Sequence, residues 1–166
     1  TQGIVWFNTL ANASVKVTAT SLTHGKTISG VVQTPRVSDE IGTWIHEPNP
    51  AVERAKLHGS LSHALALWEP AFGLGLLCSH EPIDSPWFTS FEVLGTTTLR
   101  TEKVAQALKK FNGGEVEVKT RGGEVDPNVW QNQLQKSATK TNERLTVFAL
   151  RLGKKRIAII SRRIKP

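Results

Sequence analysis

The sequence has one cysteine, no methionine and no apolar run longer than Ala71 to Cys78. One cysteine closes no internal disulfide, which excludes the small secreted domains held by disulfides and fits a reducing, cytoplasmic compartment. A membrane-crossing helix needs about 20 apolar residues, so no segment is expected to span a bilayer. No basic stretch leads an apolar one at the start, so the sequence shows no signal peptide. With no methionine and Thr1 in first place, the economical expectation is a processed chain or a piece of a longer protein.

Catalytic signatures are missing too. His46-Glu47 and His80-Glu81 are His-Glu pairs, but neither continues to a second histidine four residues on, which excludes the zinc metalloprotease pattern. His58 and His63 sit five apart and would point about 140° away from each other on a helix, so they cannot share a metal. Cys78 lies near His80, yet positions so close in sequence rarely form a nucleophile and base. A free cysteine is more often a small buried hydrophobe. Gly73-Leu74-Gly75 lacks the third glycine of a nucleotide loop, follows no good strand and opens no helix, and there is no Walker sequence. No catalytic, metal or cofactor residue is assigned to this chain, and the chain by itself is not expected to be an enzyme.

What is present is positive charge, unevenly placed. The chain has 166 residues with 21 Lys and Arg against 14 Asp and Glu, a net charge of +7. A chain of this length can bury roughly 70% of its unfolded surface, enough for one domain or two small ones sharing an interface. Residues 1–90 carry a net charge of −2 and all five histidines; residues 91–166 carry +9. Such an asymmetry points to a polyanion-binding second part.

The pattern predicts an α+β chain. Ile4 to Leu10, Val15 to Thr20 and Thr27 to Val32 read as a small β meander within residues 1–43, separated by polar turns. Residues 44–85 read as a helical connecting segment. Asn49 caps a helix that starts at Pro50, with Leu57, Leu61, Ala64, Leu65 and Trp68 on one face, and stops before Pro70. After the turn at Ser85-Pro86, residues 86–166 read as a basic α/β domain of order β-α-β-α-β-β, with a mixed sheet and helices on one face. Its parts are a short strand Phe91 to Leu94, a helix capped by Thr98 with Val104, Leu108 and Phe111 inward, and an alternating strand Glu115 to Arg121. A helix opened by Asp126-Pro127 follows, and a hairpin of Leu145 to Leu152 with Arg156 to Ile160 closes the domain.

Two stretches carry a resemblance. They are Trp44-Ile45-His46-Glu47-Pro48-Asn49-Pro50-Ala51-Val52 and Lys119-Thr120-Arg121-Gly122-Gly123-Glu124-Val125-Asp126-Pro127. With them the chain, over about residues 44–164, resembles the C-terminal part of bacterial class I S-adenosylmethionine-dependent methyltransferase-like proteins that carry a THUMP-like domain. The first stretch is similar to that family's aromatic-aliphatic-x-Glu-Pro-Asp-Pro-Ala segment, with Asn49 in place of the usual Asp. The second is similar to its basic strand end, Arg-Gly and Asp-Pro. Residues 1–43 look like the tail of an upstream methyltransferase-like domain. The resemblance implies a methyltransferase parent, S-adenosylmethionine bound in that upstream domain rather than here, and RNA as partner.

The residues themselves point to phosphate contacts at Lys119 and Arg121 on a strand end, at Lys154, Lys155 and Arg156 on a hairpin tip, and at Arg162 and Arg163 near the end. Backbone contacts of this kind give salt-sensitive affinity independent of base sequence. Glu47, Pro48, Pro50, Gly122, Asp126 and Pro127 read as motif residues with structural work to do. Trp44 and Glu47 are expected in a structural joint, with Glu47 at a helix start favoured by the macrodipole. Two functions compete: a non-catalytic region that binds tRNA or rRNA, and an interaction domain that packs on the parent's methyltransferase domain without touching RNA. Acid-paired or dispersed cations would favour the second.

Overall fold

A computed structural model describes residues 17–164. The expected strand Ile4 to Leu10 lies outside the described residues. The elements run β1 (Val17–Ser21), β2 (Lys26–Gly30), β3 (Trp44–Pro48), α1 (Pro50–Arg54), α2 (His58–Ala64), β4 (Leu77–Ser79), β5 (Phe88–Thr98), α3 (Thr101–Lys110), β6 (Glu115–Thr120), α4 (Pro127–Gln135), β7 (Arg144–Leu152) and β8 (Lys155–Arg163). The class is α+β. β1 and β2 form an antiparallel pair, and the rest make a six-stranded mixed sheet of order β4-β3-β5-β8-β7-β6. Only β6 and β7 run parallel; β3, β5 and β8 pair antiparallel with their neighbours.

Alternation along the strands loads both faces of this sheet. Val116, Val118, Leu145, Val147, Ala149, Ala158 and Ile160 face α3 and α4, meeting Val104, Leu108, Trp130 and Leu134. Phe91, Phe148, Leu150 and Ile159 face the other way and are covered by Ile45, Leu74, Leu76 and Cys78. A third, smaller core joins Ala19 of β1 to Val52, Leu57, Leu61 and Trp87. Among the described residues no helix is long and apolar enough to cross a membrane.

The order β-α-β-α-β-β over β5 to β8 agrees with the pattern read from the sequence, as does the packing of both helices on one face. Asp126 caps α4 by accepting from the Val129 N–H at 3.0 Å, with Pro127 in its first turn. Several details differ. The segment 44–85, expected as a helical connection, supplies two strands of the main sheet as well as α1 and α2. Trp44 to Pro48 pairs with β5, so the sheet crosses the Ser85-Pro86 turn at which the sequence was divided.

The single long helix expected from Pro50 is two short ones. Lys56 adopts φ of 54° and breaks it, and Ala66 at φ of 55° lies just past the end of α2. The break lets Gly59 approach the Gln33 carbonyl so closely that a Cβ there would sit 1.8 Å from it. Thr98 does not cap α3; it is the last residue of β5, and Arg100 stands at the cap position without a side-chain bond. β-branched Thr96, Thr97 and Thr98 extend β5 past the expected end, across a bulge between Val93 and Gly95.

Among the described residues the outer edge of β6 has no strand neighbour, and α4 covers it. The Gln131 and Gln135 side-chain carbonyls accept from the Val118 and Val116 N–H groups at 3.0 and 2.9 Å. Edge donors that could recruit another strand are thus satisfied within the chain.

Candidate nucleic-acid interface

The seven cations singled out by the sequence divide into three places. Lys119 and Arg121 lie at the C-terminal end of β6, but their side chains turn across the sheet's Phe91–Phe148 face. Glu47 of β3 receives both, from Lys119 Nζ at 2.8 Å and Arg121 at 2.9 Å. Glu117 and Glu53 stand at 3.7 Å from Lys119 and Arg121 respectively. In a flat sheet β3 and β6 would lie about 19 Å apart, four strand spacings. The ion pairs therefore require a sheet curled over the edge-on pair Phe91–Phe148, whose ring centroids are 5.0 Å apart. The two sequence stretches that carry the resemblance meet here, through Glu47 and Arg121. Glu47 is not at a helix start, as the macrodipole reading expects; it sits in β3 and its role is to hold the far strand.

The second place is the end of the sheet where β6 and β7 finish and β8 begins. Arg151 and Arg156 face each other across the β7–β8 ladder, a like-charge pair. Glu124 resolves the repulsion, accepting from both guanidinium groups at 2.6 Å, and its carbonyl accepts a third bond from Arg156 at 2.8 Å. The hydrogen bond from Arg151, then that from Arg156, holds the Glu124 carboxyl below the usual range against its desolvation. The loop reaches this position through Gly122 and Gly123 at φ of 83° and 70°, where any other residue would be strained although nothing crowds the Cβ position. Lys154 and Lys155 project from the hairpin tip beside these pairs, exposed and without a carboxylate partner among the described residues.

The third place is the far end of β8, about 25–30 Å along the strand. Arg162 bonds Glu143 at 2.5 Å and Glu92 at 3.2 Å, while Arg163 is exposed and unpaired among the described residues. The seven residues therefore do not converge on one face. The tip gathers Lys154, Lys155 and Arg156, and the fold commits Lys119, Arg121, Arg156 and Arg162 to carboxylates. Sequence reasoning did not single out Glu124 or Arg151, whose only local signal is that each stands beside a glycine turn, Glu124 after Gly122-Gly123 and Arg151 before Gly153.

Residues 88–163 match the family described as THUMP domain-like. The matched stretch starts with β5 and contains the tip, the Arg121-Gly122 turn and Asp126-Pro127, while β3 and its Glu47 lie before it. The fold of the chain is also similar to a crystal structure of a proposed methyltransferase from Porphyromonas gingivalis W83, with a TM-score of 0.61 and 18% identity. That match takes in 80% of this chain and 32% of the other, so the chain spans about a third of that protein's length. No curated protein matches the chain.

Around the region, groups that could suggest chemistry are enclosed. Cys78 is fully buried, and burial pushes its thiol up to about 11, away from any thiolate at neutral pH. His46, also fully buried, is held between Ser79 and Ser90, and burial pulls its imidazole down to about 4. No group of three metal-ligating side chains occurs among the described residues.

Proposed function

We propose that this chain is the non-catalytic, RNA-holding C-terminal region of an S-adenosylmethionine-dependent RNA methyltransferase. The observation that carries the reading is the hairpin tip, where Lys154 and Lys155 stand free beside two arginines that share one carboxylate. Such a tip can meet phosphates without first breaking an internal ion pair. The THUMP-like match supports it by analogy, because THUMP domains hold RNA in modification enzymes. The fold likeness to a longer proposed methyltransferase supports a methyltransferase parent. The partner is tRNA or rRNA, recognised by shape and backbone: within residues 91–164 Phe91, Phe148 and Trp130 are buried and Phe111 is packed on the core, so this part of the chain offers no aromatic platform.

The test is titration of a labelled tRNA transcript and an rRNA fragment over a range of salt. Replacing Lys154 and Lys155 by Ala is expected to flatten the log–log salt slope by up to about 1.4, two phosphates at about 0.7 each. Arg156 is left in place because Glu124 holds it in the fold. Equal binding by wild type and variant would move the RNA contact elsewhere.

A second reading has its own support. Lys119, Arg121, Arg156 and Arg162 are all engaged by carboxylates, as expected of an interaction domain that packs on the parent's methyltransferase domain. Absence of RNA binding at low salt favours that reading.

S-adenosylmethionine belongs, on this proposal, to an upstream part of the parent. Calorimetric titration of the cofactor into this chain is expected to show no binding. Micromolar affinity would place a cofactor site here and overturn the division of labour.

A further inference from the structure

The THUMP-like region carries a second cationic feature, and none of its cations shares a carboxylate as Arg151 and Arg156 do beside the tip. β3 pairs with β5 only from Phe88 to Glu92, so beyond Glu92 the outer edge of β5 has no strand partner among the described residues. α3 runs beside that open edge and leaves a groove of about 310 Å³ between them. Its floor is apolar, made by Leu94, Ala107, Phe111 and Ile160, and its rim is Thr96, Thr97, Lys103, Gln106 and Lys110. No acidic residue lines it.

Lys103, Gln106 and Lys110 lie three and seven residues apart, so they share one face of α3. The two ammonium groups are carried about 10 Å apart along the helix axis. Neither has a carboxylate within ion-pair distance among the described residues. Lys110 Nζ lies 5.3 Å from the centre of the Phe111 ring, so that ring face is occupied by a cation rather than offered for base stacking. Gly95 brings the ring in: a Cβ there would stand 3.3 Å from it. The groove is therefore built to present ammonium, amide and hydroxyl groups, with exposed strand-edge backbone behind them. It is also continuous with the hairpin tip. The Leu99 N–H donates to the Arg156 carbonyl at 3.1 Å, and Arg100, exposed, leads from there into α3.

We infer that the groove between α3 and β5 is a subsite for the sugar–phosphate backbone of the RNA, with Lys103 and Lys110 each engaging a phosphate and Gln106, Thr96 and Thr97 offering polar contacts between them. This rests on the RNA-holding reading above and extends it from the tip to a track along α3. The strand leaves Lys154 and Lys155, passes Arg100 and enters the groove at Lys103. Lys109 is exposed on the same helix but does not line the groove, which makes it an internal control.

The experiment is fluorescence titration of a labelled tRNA transcript at several salt concentrations against the full chain and three variants: K103A/K110A, K109A and K154A/K155A. Circular dichroism checks that each is folded. K103A/K110A is expected to flatten the salt slope by about 1.4 and to weaken binding about 25-fold near 0.1 M salt. K109A is expected to bind within about twofold of wild type, and K103R/K110R to restore most of the loss. If K103A/K110A binds like wild type while K154A/K155A is weakened, the groove is not a subsite and the RNA-holding function stands. If K109A weakens binding as much as the groove pair, the effect is diffuse charge and the subsite is overturned. If the wild-type chain binds no RNA even at low salt, the subsite and the RNA-holding function fall together.

Discussion

Replacing Glu47 by Gln is expected to destabilise the fold by about 2 kcal/mol, measured by urea denaturation at neutral pH. The carboxylate takes Lys119 at 2.8 Å and Arg121 at 2.9 Å, and all three side chains are at most 28% exposed. Removing one partner of a buried pair costs about 3–5 kcal/mol, because the stranded charge stays desolvated. Residual exposure and the more distant Glu117 and Glu53 reduce that figure here. The amide keeps the shape, so the loss reports charge rather than volume. In a double-variant cycle with R121Q, the combined cost is expected to fall short of the sum by about 1 kcal/mol, since the second change removes the charge that the first strands. A loss below about 0.5 kcal/mol would mean the pairs are solvated as surface pairs are and that hydrophobic contacts alone hold the curl.

The elements that were legible in the sequence are those whose signals are local. Asp126-Pro127 marks the start of α4 because cap and first-turn proline are adjacent. Val116 and Val118 alternate with Glu115, Glu117 and Lys119, so β6 declares its two faces within a few residues. The hairpin of β7 and β8 is announced by Gly153, which adopts φ of 59°. What was not legible depends on distant partners. Trp44 to Pro48 looks like a lead-in to the helix at Pro50, and only its pairing with β5 makes it a strand. The apolar spacing from Leu57 to Trp68 reads as a continuation of the helix begun at Pro50, yet the chain breaks at Lys56 and α2 ends before Ala66, and the close approach of Gly59 to Gln33 needs that break. No local pattern encodes that contact.

The candidate site divides along the same line. A run such as Lys154-Lys155-Arg156 on a turn can be read as exposed charge from sequence alone, and Lys154 and Lys155 are exposed and unpaired among the described residues. Whether a cation is already bound by an acid cannot be read, because the acids come from 74 positions away for Arg121 and from 19 and 70 for Arg162. The groove cations escaped notice for the opposite reason. Lys103 and Lys110 look like the ordinary solvated face of an amphipathic helix, and only the open edge of β5 beyond Glu92 gives that face a cleft.

Between about pH 6.5 and pH 4 the protein is expected to lose on the order of 3 kcal/mol of stability through His46 alone. The ring is fully buried on β3 between two hydroxyls: Nε2 lies 2.8 Å from Ser79 Oγ on β4 and Nδ1 lies 2.9 Å from Ser90 Oγ on β5. Ser79 commits its own proton to the Glu81 carbonyl, so Nε2–H donates to Ser79; Ser90 Oγ also lies 3.3 Å from the Ile83 carbonyl, but its 2.9 Å contact with Nδ1 is the shorter, and there Nδ1 accepts from Ser90. A neutral imidazole fills both roles. An imidazolium would present two donors, and burial disfavours its charge, which is why the folded-state pKa drops to about 4. The sign follows directly. Below pH 6.5 the unfolded chain takes up a proton that the folded chain refuses, so unfolding is increasingly favoured until both are protonated below about pH 4. Above pH 6.5 the contribution is complete and flat. Denaturation of wild type and H46Q across this range isolates the effect, because the carboxylates titrate alike in both. The difference curve is expected to rise with pH by up to about 1.4 kcal/mol per unit and level off near neutrality. A parallel pair of curves would mean that His46 is protonated equally in the folded and unfolded chains, and the neutral clamp joining β4, β3 and β5 would have to be abandoned.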